Sequence, residues 1–153
     1  MESLCLNEDH LSEDIFRTIT ADQDDTGSRA AASFWRDHWN SCTGQKTGSF
    51  TTDSASLWGT DDLSQHRFFH LIENACANRC LLGTSKGYIG IAGACEPQDL
   101  VCILFGADVP FILRRKGSQY ILIGEAYIHG IMDGEAVAEF ERSGSEPTMF
   151  NIC

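Results

Sequence analysis

One change of period divides this chain. Through residue 78 the apolar residues recur three or four apart. From residue 79 they come in short runs of Ile, Leu, Val, Phe and Tyr cut by glycine-containing turns. The first spacing belongs to helices with one apolar face, the second to strands. "NEDHLSEDIFRTITADQ" sets Leu11, Ile15, Phe16 and Ile19 on one helical stripe, with Asn7 or Ser12 available to cap it. "SRAAASFWRDHWNSC" repeats Ala31, Trp35 and Trp39 every four residues, which predicts a second helix. "TGQKTGSFTTDSASLWGTDD" reads as a long surface loop. "DLSQHRFFHLIENACANR" predicts a third helix with Phe68, Phe69, Ile72 and Cys76 on its apolar side.

Beyond residue 79, "CLLGTSKGYIGIAG" predicts two short strands about a turn at Ser85, Lys86 and Gly87. "LVCILFG", "PFILRR" and "QYILIGEAYIHG" follow, separated by "ADV" and "KGS". Helices first and strands later give an α+β fold: N-terminal helices packed on a small C-terminal antiparallel β-meander that curls into a barrel. At 153 residues the chain is expected to form one domain, with residues 1–78 mainly helical, 79–140 barrel-like and 141–153 an irregular tail in which Phe150 and Ile152 can dock.

Charge excludes several partner classes. Twenty-two acidic against 11 basic residues leave a net charge of -11, which repels both a phosphate backbone and an anionic membrane surface. No apolar run reaches the length of a membrane helix, and the acidic N-terminus is no secretion signal. Seven cysteines, an odd number spread along the chain, read as reduced thiols of a cytoplasmic protein. Cys76 and Cys80 with His66 and His70 lack the spacing of a structural zinc site, so no metal is expected. No phosphate loop, nucleophile elbow or dinucleotide fingerprint is present, so no cofactor is expected.

The densest chemistry lies in "GEAYIHGIMDGEA". Glu125, Tyr127, His129, Asp133 and Glu135 fall within eleven residues. The two-residue period of a strand aims Glu125, Tyr127 and His129 to one face. Two readings of that face stand. Either it lines a wet hollow, or it is the solvated side of a strand whose Ala126 and Ile128 face the core. In the first, His129 acts as acid and base, Asp133 orients it, Glu125 is a second carboxyl and Tyr127 or Tyr88 a hydrogen-bond donor. Tyr88, Arg114, Met132 and Glu135 would then line the substrate site.

The same strings resemble the C-terminal region of fungal heterokaryon-incompatibility (HET) proteins. "TSKGYIG", "GADVPFILR" and "GEAYIHGIMDGE" are similar to that family's barrel motifs, and "FRTITAD" to its helical motif at Phe16, Arg17, Thr18, Ala21 and Asp22. One departure is Gln98-Asp99, where the family has Gly-Asp. The resemblance implies a fungal accessory region that lacks the N-terminal HET signalling domain, and it supplies no agreed chemistry. Two functions are therefore expected. The first is a small cofactor-independent enzyme of isomerase, cyclase or lyase type, acting on an apolar secondary-metabolite intermediate, with a homodimer left open. The second is a recognition module of self/non-self sensing, with Ile131 and Met132 as exposed anchors.

Overall fold

The structure, a computed structural model, describes residues 8–24, 26–31, 33–34 and 63–153. It divides into two compact units, residues 1–77 and 78–153.

In the first unit, α1 (Glu8–Ile19) and α2 (Leu63–Cys76) meet through aromatic rings. Phe16 is buried and stacks on Phe68, with centroids 5.0 Å apart and planes 5° from parallel. Phe34 meets Phe16 edge-on at 6.4 Å. α1 ends where Ala21 and Asp22 adopt positive φ, 51° and 56°. The buried Asp22 carboxylate accepts hydrogen bonds from Arg17 and, at 2.8 Å, from Arg29 Nε. The Thr18 hydroxyl donates to the Asp14 carbonyl at 2.7 Å and the Cys76 thiol to the Ile19 carbonyl at 3.4 Å. The helix expected over residues 28–42 lies largely outside the described residues, and the loop over 43–62 lies wholly outside them.

The second unit is one antiparallel five-stranded sheet: β1 (Cys80–Gly83), β2 (Ile89–Ala92), β3 (Leu100–Cys102), β4 (Phe111–Lys116) and β5 (Gln119–Ile128). Its order is β1-β2-β5-β4-β3, which corrects the expected meander. β5 inserts between the β1–β2 hairpin and the β3–β4 pair. Its early residues ladder with β4, from Gln119↔Lys116 to Glu125↔Phe111, and its last three with β2, from Ala126↔Ala92 to Ile128↔Gly90. Only a strand of ten residues is long enough to serve both partners. Within the β4 ladder Ile123 is an extra residue, where the register shifts at Ile112/Leu113, beside Gly124 with φ 155°.

Ala92, Ile112, Ala126 and Ile128 are buried together on one face and form the core of this unit. The sequence reading missed a helix. α3 (Glu135–Ser143) starts after Gly134 (φ 89°) and ends at Gly144 (φ 61°), where left-handed backbone favours glycine. The tail then runs beside β5. Tyr120 donates its N–H to the Asn151 carbonyl at 2.8 Å and accepts from Cys153 N–H at 2.9 Å, while Phe150 meets the Tyr120 ring edge-on at 5.0 Å.

Two strands approach closely at Gly90. A Cβ there would collide with the Ile128 side chain and the Tyr127 carbonyl. Gly90→Ala is expected to lower stability by about 3 kcal/mol through overpacking at backbone that cannot retreat. Urea unfolding of the two chains measures it, and equal midpoints would refute the close packing.

Candidate functional site

A cavity of about 870 Å³ opens on the Ala126/Ile128 side of the curled sheet. Leu82, Tyr88, Cys95, Val101 and Ile131 pack against the core and line it, together with Ile112. Residues of both outermost strands border it, and α3 contributes Ala136 and Glu139. Glu139 meets Lys86 of the β1–β2 turn at 3.5 Å across the rim. The turn is set by Thr84, whose carbonyl accepts from Gly87 N–H at 3.0 Å and whose hydroxyl accepts from Tyr88 N–H at 3.0 Å.

This hollow lies on the opposite face from the one the wet-cavity reading required. Glu125, Tyr127 and His129 do not line it. Their face of β5 pairs with apolar neighbours instead: Ile91, which is buried, aligns with Tyr127, and Phe111 aligns with Glu125. Glu125 is exposed. The Tyr127 hydroxyl lies 3.3 Å from His129 Nδ1, and the His129 N–H donates to the Ile89 carbonyl at 2.9 Å, which extends the β2–β5 ladder by one bond. Alternation along a strand tells which side chains share a face, but not which face curls inward.

The turn that follows is occupied with its own construction. Asp133 and Glu135 are exposed, and the Asp133 N–H donates to Glu135 Oε2 at 2.8 Å where α3 begins. The Met132 sulfur accepts from Ile128 N–H at 3.4 Å, and Ile131 packs on the core. The two residues expected to be exposed anchors thus turn inward. Of the eight candidate residues, only Tyr88 reaches the cavity.

Arg114 is a structural staple. Its guanidinium clasps Asp99 with two bonds, Nε–Oδ1 at 2.9 Å and Nη2–Oδ2 at 2.8 Å. It also donates to Glu96 Oε1 and the Ala94 carbonyl, both at 2.7 Å. These bonds fix the β2–β3 loop to β4. The Arg114 hydrogen bond holds the Asp99 carboxyl below the usual carboxylate range. Among the described residues no group of three or more His, Cys, Asp or Glu is arranged to hold a metal ion.

With this architecture in view, the comparisons with known proteins identify the family. The profile of the Het-6 beta-barrel domain matches residues 8–145. This chain belongs to the Het-6 beta-barrel domain family. Over 64 residues it is 41% identical to "Heterokaryon incompatibility protein 6, OR allele" of Neurospora crassa, a match covering 39% of this chain and 9% of that protein. No solved structure matches. Together the family and this relative overturn the expected metabolite enzyme. The cofactor-free isomerase, cyclase or lyase is accordingly set aside. No helix among the described residues is long and apolar enough to cross a membrane.

The departure at Gln98 in this Het-6 barrel domain has a backbone cost. Gln98 sits at φ 77°, in the left-handed region where a side chain crowds the following carbonyl. Gln98→Gly is expected to raise stability by about 0.5–1 kcal/mol, read by thermal and urea unfolding; a loss would overturn the strain assignment. The neighbouring Arg114–Asp99 clasp carries a pH signature. Because the folded-state value of Asp99 is depressed, its contribution is complete above the unfolded value near 3.9 and is lost as pH falls through the folded one. Arg114→Gln should lower the thermal midpoint at pH 7 by roughly 5 °C. The gap from the parent chain should narrow as pH falls below about 4, and a gap that stays constant to pH 2 would contradict the assignment.

Proposed function

We propose that this chain is a non-catalytic recognition module of fungal self/non-self sensing. The observation that carries this reading is the 41% identity to a heterokaryon incompatibility protein, within a family match that spans most of the chain. The chemistry of the second unit is in keeping with contact rather than turnover. Candidate acid, base and orienting groups stand outside the cavity, and a large aromatic side chain stands out in solvent.

That side chain is Phe105, 71% exposed in the β3–β4 connection. It is held edge-on against Phe140 of α3, centroids 5.8 Å apart, with Val137 exposed one turn earlier on the same helix. An aromatic fixed by a second ring loses little freedom on binding, which suits it as a contact anchor. The partner is a protein met when unlike hyphae fuse, which places the encounter in the cytoplasm. The net charge of -11 disfavours nucleic acid and anionic membranes as alternatives.

Replacing the gene in its host with one encoding Phe105→Asp tests this. The incompatibility reaction on fusion with an unlike strain is expected to weaken or vanish. The purified variant should keep its thermal midpoint within about 2 °C, as for a surface change. A full reaction from the variant removes Phe105 as the anchor, and a full reaction after deletion of the gene removes the reading itself.

A further inference from the structure

Two thiols border the cavity from neighbouring stretches of chain. Cys80 opens β1 and is exposed, whereas Cys95 stands in the loop after β2 and is half-buried. The hairpin register aligns Cys80 with Ala92. Just beyond Ala92 the chain turns sharply, the Cys95 N–H donating to the Gly93 carbonyl at 2.7 Å. Both cysteines line the same cavity, so the start of β1 and the loop that leaves β2 present their thiols to one space.

The loop that carries Cys95 is pinned on either side of it. Arg114 Nη2 donates to the Ala94 carbonyl at 2.7 Å, and Asp99 Oδ2 accepts from Glu96 N–H at 2.8 Å. Cys80 is held by the β1–β2 ladder. The two cysteines are thus held on neighbouring stretches of chain by bonds that exist before any reaction between them, which shortens the search for a bond between their sulfurs.

We propose that Cys80 and Cys95 form a reversible disulfide, making this rim a redox-modification site. The oxidant is a low-molecular-weight disulfide of the glutathione class. The Cys80 thiolate attacks one sulfur of that disulfide, forming a mixed disulfide and releasing the first small thiolate. Cys95 then loses its proton and its thiolate attacks the Cys80 sulfur, forming the protein disulfide and releasing the second small thiolate. The two protons lost by the protein thiols match the two gained by the departing thiolates. Two electrons pass from the protein to the oxidant, which ends as two thiols.

Exposure sets the order of attack, because Cys80 is open to the oxidant and Cys95 is half-buried. Burial and the neighbouring Cys80 thiol also push the Cys95 thiol up, so Cys95 suits the second, tethered step. Other described thiols are placed differently. Cys102 is buried, Cys76 donates to the Ile19 carbonyl, and Cys153 is exposed at the end of the chain. The new bond would tie edge strand β1 to the loop leading into β3 and fasten one side of the cavity. The inference stands whether or not the chain is a recognition module.

The test equilibrates the full chain in glutathione buffers of increasing oxidised fraction, quenches in acid, alkylates free thiols and maps all seven cysteines by mass spectrometry. Expected is a Cys80–Cys95 linked peptide, with the intact mass lower by two hydrogens, while Cys153 carries only a glutathione adduct. Cys95→Ser should stop at a Cys80–glutathione adduct, and Cys80→Ser should leave Cys95 as a free thiol. Wild-type mapping decides the matter even if a variant folds poorly. Separate adducts on Cys80 and Cys95, two free thiols where Cys153 is fully modified, or a dominant link to any other cysteine would each overturn the proposal.

Discussion

Ten residues of β5 must satisfy hydrogen bonds towards two different strands. Residues up to Glu125 ladder with β4, and Ala126 to Ile128 ladder with β2. The β4 ladder itself carries an extra residue at Ile123, beside an unusual backbone at Gly124. Most of the second unit follows from that sharing. Ala126 and Ile128 reach the core because they lie beyond the bulge. Ile128 in turn presses so close to β2 that its partner must be Gly90. The cavity exists because sheets that bend at a bulge leave space on the concave side.

Much of this was legible in the residues, and the losses have physical causes. The strands showed themselves because β-branched and aromatic runs alternate with turns whose residues demand special backbone: Gly87 at φ 89° and Gly117 at φ 63° are both turn glycines. The strand order did not show, because pairing between β2 and β5 is set by contacts far apart in sequence and neighbouring residues carry no mark of it. α3 left a signal that went unread. Ala136, Val137 and Phe140 are at helical spacing, bounded by Gly134 and Gly144. The inward face of β5 could not be deduced, since two alternating sets of residues both carried apolar or amphipathic side chains.

The residues that carry the family likeness turn out to be builders of the fold. Phe16 stacks in the helical unit, Arg17 and Asp22 form a part-buried pair, Gly90 permits close approach and Arg114 clasps a loop. Each is hard to replace for reasons of packing or of hydrogen bonding to a charged group. A cluster of polar letters such as "GEAYIHGIMDGE" therefore misleads when it is read as chemistry. Its glycines accommodate positive φ, its Met sulfur and Glu carboxylate accept backbone N–H groups, and its His extends a ladder.

The outermost strands of the sheet are short, four residues in β1 and three in β3. Leu81 on one and Leu100 on the other are exposed, a combination that invites strands of other molecules to add on. Brevity is the safeguard. So few amides are on offer that an incoming strand gains little before it runs out of partners, and growth into fibres is discouraged without any charged or proline gatekeeper on those edges.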